Sequence, residues 1–185
     1  MILWPGNYYH IYQAAAPGEL LLPDEEAYRR CLGLYAEALT PVVETFAYCL
    51  LPDHAHFLVR VKPLARLAEI GGMSVERRLA AWLAACATEF GRITPLPPPL
   101  CLTVPARRYL THLVVYIHQN PERHGVVAHF RQWPHTSYLA LLSEQPTRLA
   151  RETVLDWFLG REWFDDAHWQ PVDESRIGFL IRRAV

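Results

Sequence analysis

Lysine is almost missing from this 185-residue chain: Lys62 stands alone, and the other 17 of the 18 basic residues are arginine. A basic excess is missing too. The formal net charge is −1, which argues against the whole-surface electrostatics by which many proteins hold nucleic acid without regard to sequence. Local patches of charge remain compatible with a nucleic-acid partner. Arginine offers a planar fork suited to phosphate and bases, although a compositional bias of the genome would give the same excess. No apolar run approaches the length that crosses a bilayer. The opening MILWPGNYYH has no basic segment followed by an apolar one, so a secretory leader is not expected. Cysteine is sparse. Cys31, Cys49, Cys86 and Cys101 form no C-x-x-C pair and lie in apolar surroundings, as expected of buried thiols in a reducing cytoplasm. Charged residues make up only 20% and apolar residues 51%, which excludes a disordered chain and supports a single core. There are no internal repeats.

The pattern of elements is mixed. NYYHIYQ (7–13) reads as a strand. Pro23-Asp24-Glu25-Glu26 opens a helix with acids in its first turn, and this helix stops before Pro41. VVETFAYCLL (42–51) and HAHFLVRV (54–61) read as two strands joined by a link so short that they form an antiparallel hairpin. Lys62 to Gly72 is expected to be a loop with a short helical turn. Ser74 caps a helix through VERRLAAWLAACATEF. Residues 94–105, with five prolines, are expected to be an extended linker. A helix follows over about 106–120, limited by Pro121, and Gly125 marks the next turn. Residues 132–138 read as irregular. A last helix over about 150–160 leads into an aromatic tail with Trp157, Phe158, Trp163, Phe164 and Trp169, expected to seal the core or a dimer contact. The order β-α-β-β-α-(linker)-α predicts an α+β sandwich with helices covering one face of an antiparallel sheet.

Two segments could carry chemistry. In His54-Ala55-His56 the side chains alternate, so both imidazoles leave one face of the strand roughly 7 Å apart and can converge on one divalent metal. Two exposed histidines near a turn would look the same. In Tyr116-Ile117-His118-Gln119-Asn120-Pro121, Tyr116 and Asn120 are one helical turn apart and share a face with Tyr109 and His112. A phenol can attack phosphate, and an amide oxygen one turn away can complete a site for a hard cation. Alternatively Tyr116 packs in the core and Asn120 merely ends the helix. His10, His124, His129, His135 and His168 have no partner at ligand spacing and read as surface or structural.

Together, AYCLLPDHAHFLVRV (47–61) and YIHQNPERHGVV (116–127) resemble the REP-associated tyrosine transposases, within the single-tyrosine HUH transposases. GNYYHIYQ, QWPHTSY (132–138) and VLDWFLGREWF (154–164) support the likeness. The resemblance implies a ferredoxin-like antiparallel sheet with helices packed on one face. It implies that His54, His56 and Asn120 bind Mg²⁺ or Mn²⁺ and that Tyr116 is the nucleophile. It further implies cleavage and strand transfer on single-stranded, hairpin-containing DNA through a 5′-phosphotyrosine link. His112 or His118 is then a candidate to take the Tyr116 proton, and Arg60, Arg107 and Arg108 are candidate DNA contacts. The expected organisation is a catalytic domain over 1–145 with a helical, aromatic extension over 146–185 packed on it. The expected setting is cytoplasmic and nucleoid-associated, with no membrane, as a monomer or homodimer. One segment departs from the family pattern: ITPLPPPLCLTVPARRYL (93–110) stands where members carry a basic, aromatic stretch, and only Arg107 and Arg108 in it are basic. A second reading is therefore a domesticated DNA-binding or regulatory protein with the same fold and weak or no activity. A third is an unrelated metal hydrolase using the two histidines with a carboxylate such as Asp53.

Overall fold

The computed structural model describes residues 2–70, 73–92 and 95–181. Gly71 and Gly72, the end of the expected loop, and Thr94, the start of the expected linker, lie outside the described residues, as do 182–185 of the C-terminal extension. Four strands, β1 (Tyr8–Ala14), β2 (Val43–Leu50), β3 (His54–Val61) and β4 (Leu100–Val104), form one sheet in the order β2-β3-β1-β4, every neighbouring pair antiparallel. The fold is α+β.

Helix α1 (Glu25–Leu39) starts where the Asp24 carboxylate accepts the Ala27 N–H at 2.8 Å, a cap worth about 1 kcal/mol. Its buried residues Ala27, Tyr28, Cys31, Tyr35 and Leu39 recur every three to four positions and form one apolar stripe. After the short α2 (Leu64–Ile70), Ser74 caps α3 (Val75–Glu89), whose stripe is Val75, Leu79, Trp82, Leu83 and Cys86. These two stripes pack on each other and on one face of the sheet, where they meet Tyr9, Ile11, Phe57, Val59 and Val61. Tyr35 stacks on Phe57 at 4.3 Å between ring centroids, and Trp82 meets both rings edge-on.

The other face carries the alternate residues, among them Leu58 and Cys49, together with Phe46. Helix α4 (Leu110–Arg123) packs on it through Leu113, Val114 and Ile117. A bulge between Thr45 and Ala47 turns Phe46 toward this side. The C-terminal residues share this second core: α5 (Tyr138–Leu142), α6 (Arg151–Trp157), α7 (Arg161–Ala167) and α8 (Gly178–Ile181) contribute Leu141, Val154, Phe164, Leu180 and Ile181. The one-face packing expected of the sheet describes α1 and α3, and α4 with the C-terminal helices adds a layer on the opposite side. Of the tail aromatics, Phe158 and Phe164 are buried, whereas Trp163 and Trp169 are exposed.

Two readings of the sequence are corrected. The proline-rich segment is not a linker throughout: Leu100–Val104 is the edge strand β4, hydrogen-bonded to β1 with Tyr12 opposite Leu100 and Tyr8 opposite Val104. The prolines end before it at Pro99 and resume after it at Pro105, so none interrupts the ladder. Pro121 does not limit the last long helix, because α4 runs through it to Arg123. The turn beyond the proline is closed by His124 N–H to Asn120 O at 2.9 Å and Gly125 N–H to Glu122 O at 3.0 Å, with Gly125 at a φ of 67°. All four cysteines are buried and unpaired by disulfides.

Candidate functional site

The hairpin between β2 and β3 is three residues long and closed by Leu51 N–H to His54 O at 2.8 Å. It delivers His54 and His56 to the face that α4 covers, because Leu58, two residues on, belongs to the α4 core. Tyr12 of β1 lies directly opposite His56 in the ladder, and His10 lies opposite Leu58, so both present their rings to the same face. The helix crosses above them. The Tyr116 ring is edge-on to His56 at 5.8 Å, and the His124 ring is edge-on to His54 at 4.6 Å. Asn120 lies midway between these two on the helix, so it faces the histidine pair. The sequence-predicted residues Tyr116, His54, His56 and Asn120 are thus brought together, although 59 residues lie between His56 and Tyr116.

The hydrogen bonds fix which atom each side chain offers. Asp53 Oδ1 accepts His54 Nδ1–H at 2.7 Å, which leaves the lone pair on His54 Nε2. Asn120 donates its Nδ2–H to the Tyr116 carbonyl at 2.9 Å. A carbonyl only accepts, so the amide nitrogen is tied down and Oδ1 is turned away from the helix. His54 Nε2, His56 Nε2 and Asn120 Oδ1 are all buried and all without a hydrogen-bond partner. A buried acceptor left unpaired costs about 1–3 kcal/mol, and here three of them lie at one place. That donor set suits a divalent cation: two imidazoles and one amide oxygen. Among the described residues no three His, Cys, Asp or Glu side chains are grouped to hold a metal ion, so a metal at this place would use the amide as its third ligand. Asp53 engages the far nitrogen of His54 and is largely exposed, which removes it as the third ligand of a hydrolase built on the histidine pair.

Burial holds His54 and His56 in the neutral form that ligation needs, the latter well below the ordinary imidazole range. Burial likewise pushes the Tyr116 phenol up to about 12, while Arg123 and Asn120 pull it down and Glu174 opposes them. Arg123 stands over the Tyr116 ring at 5.2 Å and is ion-paired with Glu174. Tyr116 itself is 1% exposed.

The two histidines expected near the phenol are elsewhere. His112 is half-buried and bonded to the Arg108 carbonyl and Arg176. His118 is fully buried in a separate network with His168 and Ser137. Of His10 and His168, read from the sequence as surface or structural, both are buried and each is hydrogen-bonded to another histidine. Sequence reading missed His10, Tyr12 and Arg123 at the site. The signal for the first two was present in the alternation Tyr8-His10-Tyr12, which gives them one face, but the register that sets that face against His56 lies 46 residues away. Arg107 and Arg108 lie in the 3₁₀ turn before α4, with Arg108 stacked on Tyr109 at 4.9 Å. Arg60 sits near the opposite end of β3, half-buried, bonded to Glu44 at 2.6 Å and to the Tyr8 hydroxyl at 3.3 Å.

No described helix is long and apolar enough to cross a membrane. A scan against protein-family models and a search of curated proteins find no match to this chain. Among solved structures, the chain is similar to a REP-associated tyrosine transposase bound to a REP hairpin, with a TM-score of 0.61 and 17% sequence identity, covering 79% of this chain and 86% of that one. At that identity the likeness shows a shared fold.

Proposed function

We propose that the protein is a metal-dependent HUH-type nuclease that cuts and rejoins single-stranded, hairpin-containing DNA in the cytoplasm, with Tyr116 as nucleophile. The observation that carries this reading is the set of three unpartnered buried acceptors, His54 Nε2, His56 Nε2 and Asn120 Oδ1, beside the Tyr116 phenol. The fold shared with a transposase bound to a DNA hairpin supports it. His54, His56 and Asn120 would hold Mg²⁺ or Mn²⁺, which when bound supplies Lewis-acid polarisation of the scissile phosphate. The Tyr116 oxygen attacks phosphorus as it gives up its proton, the bond to the DNA 3′ oxygen breaks and that oxygen takes up a proton to leave as a 3′-hydroxyl, and a 5′-phosphotyrosine remains. A later 3′-hydroxyl reverses the step. Arg123 beside the ring favours the phenolate and is placed to meet a phosphate once it leaves Glu174. Arg107 and Arg108 are candidate backbone contacts a little over two helical turns before Tyr116 on the chain. Arg60, held by Glu44, is the weakest of the three candidates.

The near-complete burial of Tyr116 favours the second reading, a protein that keeps this fold for DNA binding or regulation without chemistry. One experiment separates them. Labelled single-stranded hairpin DNA with Mn²⁺, followed by a denaturing gel, should give a covalent adduct with the wild type. Tyr116→Phe removes only an oxygen and should abolish the adduct at near-unchanged stability. Tyr12→Phe, the other phenol facing the histidines at 5.1 Å from His56, should retain it. Cleavage without attachment would mean that water is the nucleophile, and no adduct from folded wild type that still binds the hairpin would leave the regulatory reading.

A further inference from the structure

The His56 ring has a second nitrogen, and what it touches is decided elsewhere in the fold. His10 Nδ1 lies 2.9 Å from the Leu180 carbonyl, and His10 Nε2 lies 2.9 Å from His56 Nδ1. Both rings are fully buried, and they are nearly parallel, 13° apart. A carbonyl oxygen can only accept, so the His10 proton must be on Nδ1. In a neutral ring that leaves Nε2 as an acceptor. The hydrogen bond between the rings then requires His56 to be the donor through Nδ1–H. The lone pair of His56 is thereby placed on Nε2, the buried atom that has no hydrogen-bond partner. Were the Leu180 carbonyl absent, His10 could carry its proton on either nitrogen and His56 could adopt either tautomer.

We propose that His10 is a positioning residue for the metal site, and that the C-terminal helix α8, through its Leu180 carbonyl, sets the tautomer of His56 by way of His10. The inference rests on the reading of His54, His56 and Asn120 as metal ligands. It couples three distant parts of the chain, β1, β3 and α8, in one hydrogen-bonded line whose longest step, His10 to Leu180, spans 170 residues. Side chains that support a metal ligand from behind change metal affinity by roughly 10- to 100-fold when removed. His54 is held differently, by the exposed carboxylate of Asp53, so only the His56 arm depends on the C-terminal helix.

The test uses the full chain with Mn²⁺ as probe. In metal-free wild type, long-range ¹H–¹⁵N spectra should show His56 protonated at Nδ1 alone. His10→Phe should give a mixed or reversed His56 tautomer and roughly 10-fold or weaker Mn²⁺ binding by calorimetry. His10→Asn, whose amide can donate to Leu180 and accept from His56, should recover most of both. It also serves as the variant for comparison should His10→Phe fail to fold. A wild-type His56 protonated at Nε2 overturns the inference outright, as does His10→Phe with wild-type tautomer and affinity. Recovery of neither readout in folded His10→Asn also counts against it. Wild type that shows the Nδ1–H tautomer but binds no Mn²⁺ instead overturns the metal-site reading beneath it.

Discussion

Two buried histidine pairs stand on α4's side of the sheet, and they are built alike up to their last atom. In one, His10 donates from Nδ1 to the Leu180 carbonyl and its Nε2 meets His56 Nδ1 at 2.9 Å. In the other, His168 donates from Nδ1 to the Phe164 carbonyl and its Nε2 meets His118 Nδ1 at 2.8 Å. Each pair is anchored on a backbone carbonyl of a C-terminal helix, which fixes the tautomers by the same logic. The ends differ. His118 Nε2 meets the Ser137 hydroxyl at 2.7 Å, and Ser137 Oγ in turn accepts the Tyr48 N–H at 2.9 Å. His56 Nε2 meets nothing. The closed chain satisfies every polar atom and ties α7, α4 and β2 together, which is what a structural network does. The open chain leaves an unpaired acceptor beside two others, an arrangement that costs stability unless something binds there. The comparison teaches that a buried histidine pair serves packing or a site according to what its last nitrogen meets.

The largest expected effects break the two chains apart. In wild type Mn²⁺ should raise the melting temperature, and His56→Ala should remove that rise. His118→Ala should leave the metal-induced rise intact while lowering stability by about 2–4 kcal/mol, since it empties core volume and strands both His168 and Ser137. Thermal melts of both variants with and without Mn²⁺ check this. Equal loss of the metal-induced shift in the two would erase the distinction between the chains.

Acid should act on both chains together. Burial holds His10 and His168 down to about 4, and His56 and His118 well below the ordinary value of 6.5. The folded state therefore binds fewer protons than the unfolded chain between about pH 6.5 and 4. Stability is fully present above the unfolded value and is lost as pH falls through this window, by up to roughly 3 kcal/mol for each histidine held near 4. Urea titrations across pH 8 to 4 measure it. His168→Phe removes one such group, so its stability should depend on pH less steeply in that window, and an unchanged slope would show that His168 is not buried neutral.

The sequence made much of this legible. Period-3.6 stripes and the caps Asp24 and Ser74 announce α1 and α3, and the apolar run after Pro52-Asp53 announces β3, whose alternating side chains put its two histidines on one face. Local rules fail where a distant partner decides. Five prolines around Leu100–Val104 outweigh a short strand that exists because β1 offers an unpaired edge. Pro121 reads as a stop, yet the carbonyls of Asn120 and Glu122 close a further turn after it. His10 and His168 look isolated at any local spacing, and their partners lie 46 and 50 residues away. Of the candidate site, the two histidines, the amide and the phenol could be read from two short motifs. The support behind them depends on register and on α8, which no local pattern encodes.

The smallest effect concerns the other arm of the open end. Asp53 does for His54 what His10 does for His56, accepting its Nδ1–H at 2.7 Å, but its side chain is 64% exposed. Solvent competes for an exposed carboxylate and salt screens it, so such a contact contributes little. Asp53→Asn keeps an oxygen that can accept the same proton, so the His54 tautomer should survive and only the charge is lost. Mn²⁺ affinity should fall by no more than roughly fivefold, less than for His10→Phe, and the gap between Asp53→Asn and wild type should narrow at high salt. A loss exceeding that of His10→Phe would reverse the order argued here and make the exposed carboxylate, rather than the buried relay, the main support of the site.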